Sequence, residues 1–145
     1  MAGGKGLTFD SDLLKLIFNA TPIPNIADNA ASAPLTQLFL ALHTADPGAG
    51  GNQATSEATY TGYARVAVAR TTAGFTVTGN SCTLAATATF GVPTAGAGEV
   101  EAYFSVGVAS TGASKVLYHG PVSPPITIAN GIAPQLTSGT TITES

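Results

Sequence analysis

The ten residues Glu99–Val108 carry an apolar side chain at every second position. Successive side chains of a β-strand point to opposite faces, so this alternation predicts a strand with one buried face and one solvated face. The positions expected inside the core are Val100, Ala102, Phe104, Val106 and Val108. Glu99 and Glu101 share the other face, and we expect both carboxylates to lie outside in solvent.

Shorter segments with the same alternation fill most of the chain after residue 35. Turn dipeptides such as Asn130-Gly131 and Ser138-Gly139 separate them, and Asn-Gly is a strong hairpin signal. About eight strands are too many for one small sheet, so the sequence predicts an all-β fold, an antiparallel two-sheet sandwich. The residues expected to form one continuous core are Leu38, Leu40, Val66, Phe90, Val100, Phe104 and Val106.

One short helix is predicted near the N-terminus. Asp10 or Ser11 can cap it, and Pro22 prevents its continuation. Its apolar stripe consists of Leu13, Leu14, Ile17 and Phe18. Residues 19–34 contain three prolines and show no periodicity, which indicates an extended arm. We therefore expect a helix and arm over 1–35 and a β-sandwich over 36–145, within a single structural domain.

The composition is poor in charge and rich in small side chains. Charged residues make up 9% of the chain, against about 25% in an average soluble domain. Ala, Thr, Gly and Ser together account for half of the 145 residues, which predicts a weakly hydrated surface suited to an assembly. Nucleic-acid binding is not expected, because it needs a clustered basic face and the basic residues are scattered: Lys5, Lys15, Arg65, Arg70 and Lys115.

The environment of the protein is also constrained by its sequence. Cys82 is the single cysteine, so an intrachain disulfide is impossible. No apolar run approaches the roughly 18 residues of a membrane span, and no signal peptide is recognisable. We expect a soluble protein made in a reducing cytoplasm, without membrane contact.

Catalytic and metal-binding patterns are weak. A pair of His43 with Asp46 is conceivable, but the chain lacks the G-x-S-x-G elbow of a hydrolase. His43 and His119 stand in unrelated strands and supply too few ligands for a metal site. Asp46 begins an Ala45–Gly48 turn, where its carboxylate is expected to bond the backbone. The sequence predicts no enzyme, no catalytic residue, no cofactor and no metal.

Two groups of residues are candidates for contacts with other proteins. Tyr63 and Arg65 share a strand face, where the guanidinium can pair with Glu57 and pin the long preceding loop onto the sheet. Alternatively, they form an Arg/Tyr anchor in a protein interface. In the arm, the candidate anchors are Pro22, Ile23, Pro24 and Ile26, with the alternative that the helix merely packs at one end of the sandwich.

The segment Leu38–Arg70 joins LALHTADP to a downstream YTGYARVAVAR through a Gly/Ala/Thr/Ser loop. In this it resembles the capsid cement (decoration) proteins of tailed bacteriophages, and within them those of Bordetella phages. The resemblance implies a jelly-roll-like subunit, made in the host bacterial cytoplasm, on the outer surface of the phage capsid. There it would act as a homo-oligomer, as a dimer, and bridge neighbouring capsomers of the phage major capsid protein.

Two other functions stay open. A phage tail or tail-fibre component is the first, although fibres usually show elongated repeats and none is visible. Copy number separates the two, since a cement protein approaches the abundance of the capsid protein. A small carbohydrate-binding β-sandwich is the second, and the absence of Trp argues against it.

Overall fold

The computed structural model describes residues 7–23 and 33–144. In this part of the chain, the helix α1 covers Leu7–Phe18, and the fold is otherwise built from strands. In chain order these are β1 (Gln37–His43), β2 (Val66–Ala69), β3 (Phe75–Thr78), β4 (Ser81–Leu84), β5 (Ala88–Thr89), β6 (Val100–Gly107), β7 (Val116–Thr127), β8 (Gln135–Leu136) and β9 (Thr141–Thr143). The predicted fold class, mostly β with antiparallel sheets and one short helix, is confirmed.

The chain forms two compact units. The first comprises Met1–Thr36, Ala69–Thr87 and Thr137–Ser145, and the second comprises Gln37–Val68 and Ala88–Leu136. Within the first unit, α1 packs beside the three-stranded sheet β3-β4-β9. The predicted division into residues 1–35 and 36–145 stays a prediction.

Helix α1 is held to the first unit by its apolar stripe. Leu14 and Phe18 are fully buried, and the ring of Phe18 lies 4.8 Å from that of Phe75 on β3. The helix ends where Ala20 takes a left-handed φ of 53°, which turns the chain before Pro22. Arg70 then satisfies two terminal carbonyls, with Nε donating to Ile17 O at 2.5 Å and Nη2 to Leu16 O at 2.6 Å. A cation at this end also complements the helix dipole.

The second unit is centred on the four-stranded sheet β2-β1-β6-β7, accompanied by the pair β5-β8. Strands β1 and β6 run antiparallel with Leu40 opposite Val106 and Leu42 opposite Phe104. All four of these side chains are buried, as predicted for Leu40, Phe104 and Val106. Leu38 and Phe90 are buried too, whereas Val66 is only half-buried.

The alternation along β6 predicts its first two residues wrongly. Val100 is 43% exposed and Glu101 is fully buried, the reverse of the prediction. The register with β7 slips at this point, because Glu101 pairs with Ile126 and Tyr103 pairs with Pro121. Irregularities of this kind bend a strand and re-aim its side chains, so one period does not hold across them. Beyond the slip, Phe104 and Val106 are buried as predicted, but Ser105 on the opposite face is buried as well.

Among residues 7–23 and 33–144, no helix combines the length and the apolar character that crossing a membrane requires.

Candidate functional site

A loop of residues 44–65 connects β1 to β2 and is built from successive turns. Asp46 lies near its start, and its Oδ1 accepts a hydrogen bond from Gly48 N at 2.9 Å, which confirms the predicted bond between this carboxylate and the backbone. Asn52 repeats the device, accepting from Ala54 N at 2.9 Å. These side chains bond nearby backbone N–H groups in place of the backbone hydrogen bonds of a helix or sheet. The loop therefore folds back without forming a regular strand or helix.

The returning part of the loop lies along β1. Thr44 N donates to Ser56 O and Ala58 N donates to Leu42 O, both at 2.9 Å, and His43 faces Glu57 in an antiparallel bridge. This places the polar side chains of the loop against the face of β1 that sequence alternation assigns to solvent.

Arg65 is the centre of a buried polar cluster beneath the loop. Its Nε donates to Glu57 Oε1 at 2.7 Å and its Nη2 to Glu57 Oε2 at 2.8 Å, so the predicted pairing of Arg65 with Glu57 is confirmed. The remaining hydrogen bonds of the guanidinium go to Ala109 O, Gly112 O, Gln53 Oε1 and Ser114 Oγ. The side chain is 2% exposed, and its fork holds the loop and the 109–114 turn in one geometry.

Tyr63 extends the pair with Glu57. Its hydroxyl donates to Glu57 Oε1 at 2.9 Å and accepts from Leu42 N at 3.1 Å. Burial raises the pKa of Tyr63 above its ordinary value, so the phenol stays neutral and able to donate. The pKa of Arg65 is raised as well, chiefly by the hydrogen bond to Glu57.

The second half of the cluster joins His43 to Gln53 and Ser105. The Thr55 carbonyl lies 2.9 Å from His43 Nδ1 and can only accept, so Nδ1 carries the proton. His43 Nε2 then accepts from Ser105 Oγ at 2.8 Å. Burial lowers the pKa of His43, which keeps the imidazole neutral. The conceivable pair of His43 with Asp46 is not formed.

Gln53 closes the cluster from the loop side. Its Nε2 donates to Phe39 O at 2.9 Å, and its Oε1 accepts from Ser114 Oγ at 2.7 Å. The backbone of β6 makes room for this fully buried amide at Gly107, where an added Cβ would lie 2.1 Å from Gln53 Cδ. A glycine at position 107 is therefore required by the close approach of Gln53.

The cluster contains a histidine and a serine, as the active sites of hydrolases do, but these two side chains are not exposed to solvent. Ser105 and His43 are both fully buried. No group of three or more His, Cys, Asp and Glu side chains suited to a metal ion occurs in residues 7–23 and 33–144. The hydrogen bonds fix the 44–65 loop on the sheet, which is the chemistry this arrangement performs.

The far end of the loop is attached by Tyr60 and Glu99. Thr59 N donates to Glu99 Oε1 at 2.8 Å, and Tyr60 OH donates to Gly91 O at 3.2 Å. The ring of Tyr60 meets that of Tyr63 edge-on at 5.4 Å, and Tyr63 stacks on Phe90 at 6.2 Å. Aromatic packing and hydrogen bonds thus secure both ends of the loop.

Outside the cluster, Asp46 Oδ1 lies 2.8 Å from His119 Nδ1 of β7, within hydrogen-bond distance. Both side chains are partly exposed. The turn at Asp46 directs its carboxylate toward β7 rather than back to β1, which explains why the sequence pointed to the wrong histidine.

The predicted contact residues are distributed as follows. Pro22 is exposed, Ile23 is buried at 8% exposure, and Pro24 and Ile26 lie outside the described residues. Tyr63 is half-buried and Arg65 is buried by its own chain, and both lie in the 44–65 loop, not on a strand face as predicted. A contact of any of them with another protein stays a prediction. Gln53 and Ser105 were missed, since no local pattern distinguishes them from surface polar residues.

The chain was compared with known protein families. The model of a family described as Podophage GP4 fiber I protein gp80 matches residues 19–143, which is most of the chain. The matched range includes the whole 44–65 loop and the polar cluster beneath it. No curated protein matches the chain.

Proposed function

Because the chain belongs to the podophage GP4 fiber I protein gp80 family, it is a structural protein of a phage virion, and we propose that its place in the virion is the fibre. The match over residues 19–143 carries this proposal, since the family description names a fibre protein. The predicted phage virion role is confirmed. The match supports neither a capsid cement protein nor a Bordetella phage, and it does not support a carbohydrate-binding sandwich.

The cluster around Arg65 suits a non-enzymatic structural role. A virion component has to keep one shape while it is held by its neighbours, and a loop of 22 residues would otherwise be mobile. Arg65 removes that freedom by bonding Glu57, Gln53 and the 109–114 turn at once. The low charge of the chain also limits the cost of removing its surface from water during assembly.

Capsid decoration is the second candidate, favoured by the resemblance of Leu38–Arg70 to capsid cement proteins. In that case the chain binds the phage major capsid protein on the outer surface of the head and bridges capsomers. Two modest contacts made by a homodimer act together, because the first contact makes the second effectively intramolecular. The same rigid loop would serve either position in the virion.

We propose that the protein also associates with copies of itself, whichever of the two positions it occupies. In the second unit, Val92 is 50% exposed and Ile132 is 67% exposed. Gly131 N donates to Pro93 O at 2.9 Å, so the two segments that carry Val92 and Ile132 are adjacent. We infer that a second subunit would cover these two side chains, because contact between subunits removes apolar surface from water. Sedimentation of the protein and of Ile132→Asp tests this: a lower mass for the variant supports the proposal, and an unchanged oligomer contradicts it.

The fibre assignment is tested by locating the protein in the virion. Antibodies against the chain, bound to purified phage and viewed by electron microscopy, should label fibres and leave the head bare. Labelling spread evenly over the head would favour capsid decoration and overturn the fibre proposal.

A further inference from the structure

Glu99 anchors two residues of the 44–65 loop with both of its carboxylate oxygens. Oε1 accepts from Thr59 N at 2.8 Å and from Tyr60 N at 3.2 Å, and Oε2 accepts from Thr59 Oγ1 at 2.5 Å. Burial alone would raise the pKa of Glu99, but the hydrogen bonds that it accepts, those from Thr59 first among them, lower it. Glu99 is therefore an ionised carboxylate that binds the loop.

Glu101, the second residue of β6, has a carboxyl group without a hydrogen-bond donor from the protein. The residue is fully buried, and neither of its carboxyl oxygens has a hydrogen-bond partner within the described residues. Two titratable groups face Glu101: Glu99, which immediately precedes β6, and Tyr60 of the 44–65 loop. On β7, the residue paired with Glu101 is the apolar Ile126. Burial, with the charges of Glu101 and Glu99, raises the pKa of Tyr60 to about 12, so Tyr60 stays neutral.

A second negative charge at this place would be strongly unfavourable. A buried carboxylate without donors loses its hydration and gains no compensating bond, and Glu99 beside it repels a like charge. A neutral Glu101 avoids both costs, because its O–H can donate to the Glu99 carboxylate, which can only accept.

We propose that Glu99 and Glu101 share one proton, and that this proton locks Thr59 and Tyr60 of the loop onto β6. The pair is a pH-sensitive latch: the protonated pair keeps Glu99 in place under the loop amides. When the proton is lost, the two negatively charged carboxylates repel each other, and the segment of Thr59 and Tyr60 is released from β6. In support, burial first, and then the neighbouring Glu99, raises the pKa of Glu101 to about 8.

The coupling of opening to ionisation has a defined pH dependence. In the released segment Glu101 is solvated and titrates near its ordinary pKa of 4.5, whereas in the closed segment it titrates near 8. Between these values, opening releases one proton, so its equilibrium constant rises about tenfold per pH unit. Above the closed-state pKa the dependence becomes flat. The closed segment is therefore favoured at acidic pH, and opening is favoured at mildly alkaline pH.

A divalent cation is a poorer occupant for the pair than a proton. Calcium takes about six to eight oxygen ligands, and the Glu99 oxygens already face the N–H and O–H donors of Thr59 and Tyr60. Those donors carry partial positive charge toward the position that a cation would occupy.

Hydrogen exchange of individual amides tests the latch. The Thr59 and Tyr60 amides are bound to Glu99, whereas the neighbouring Ala58 amide is bound to Leu42 O and serves as the internal control. After correction for the intrinsic rate, exchange at Thr59 and Tyr60 should rise about tenfold per unit between pH 5 and 8. Exchange at Ala58 should show no such additional slope.

The matched variant is Glu101→Gln, whose amide donates to Glu99 at every pH. It should abolish the slope at Thr59 and Tyr60 and keep the segment closed at pH 9. Equal slopes in the two proteins would overturn the latch, as would protection of these amides by added Ca²⁺ at pH 8. If the variant does not fold, the carboxyl carbon of Glu101 in the unaltered protein decides the matter by NMR titration. A midpoint near 8 supports the shared proton, and a midpoint near 4.5 contradicts it.

Discussion

Arg65 and Glu57 form a two-pronged ion pair beneath the 44–65 loop, with 2.7 Å from Nε to Oε1 and 2.8 Å from Nη2 to Oε2. The guanidinium is almost entirely buried, so its charge depends on this one carboxylate for compensation. Four further acceptors around Arg65 orient the group but carry no full negative charge. The pair is thus the strongest single constraint on the loop.

Replacing Glu57 with Ala should destabilise the protein by about 3–5 kcal/mol, because it leaves a buried cation unpaired. Urea unfolding of the variant and the unaltered protein measures the difference. The control is Asp46→Asn, which removes the charge from the partly exposed pair with His119 and should cost about 1 kcal/mol or less. Equal losses in the two variants would show that the Arg65 site is open to water.

Gly107→Ala should cost about 1–3 kcal/mol, since the new methyl group meets the Gln53 amide at 2.1 Å. The same change should cost less in a protein that already carries Gln53→Ala, because the obstructing amide is gone. A double-mutant cycle of unfolding free energies measures this coupling. An identical cost in both backgrounds would place Gln53 away from Gly107.

Acid should weaken the fold through His43. Its folded-state pKa lies below the ordinary value of 6.5, because burial disfavours the charged form. The unfolded chain therefore binds a proton more readily, and the contribution of His43 is complete above about pH 6.5 and is lost as the pH falls toward the lowered value. Unfolding free energies measured at pH 7.5 and 5.5 should differ more in the unaltered protein than in His43→Gln. A steeper acid loss in the variant would contradict the neutral, buried imidazole.

The slip in the β6–β7 register gives Phe104 and Val100 opposite environments. Phe104→Ala should cost about 3–5 kcal/mol, because the ring is 4% exposed. Val100→Ala removes a side chain that is 43% exposed and should change stability by about 0.5 kcal/mol. Thermal or urea unfolding compares the stabilities of the two variants. A large loss of stability in Val100→Ala would show that Val100 is buried, as uninterrupted alternation along β6 predicts.

The sequence was most informative where one local rule controls the outcome. The end of α1 before Pro22, the bond of the Asp46 carboxylate to the backbone and the pairing of Arg65 with Glu57 all follow from short-range chemistry and were predicted. Glu101 was mispredicted because the register slip depends on how many β7 residues face each β6 residue, which no single strand encodes.

The buried polar cluster could not be predicted from the sequence for a related reason. His43 and Ser105 lie on a strand face that alternation assigns to solvent, and the loop of residues 44–65 covers that face. The pairing of His43 with Ser105 joins residues 62 positions apart. Gln53, within a Gly/Ala-rich run, has no neighbours that mark it as buried. Such partners are fixed by tertiary contact and not by periodicity.

The assignment of the protein to the fibre is tested most directly by its copy number in the virion. Purified phage, separated on a gel and quantified against the major capsid protein, gives the ratio of the two chains. A fibre component should be present at a small fraction of the capsid protein, since fibres are few and the head contains many capsid subunits. A ratio approaching that of the capsid protein would contradict the fibre assignment and favour capsid decoration.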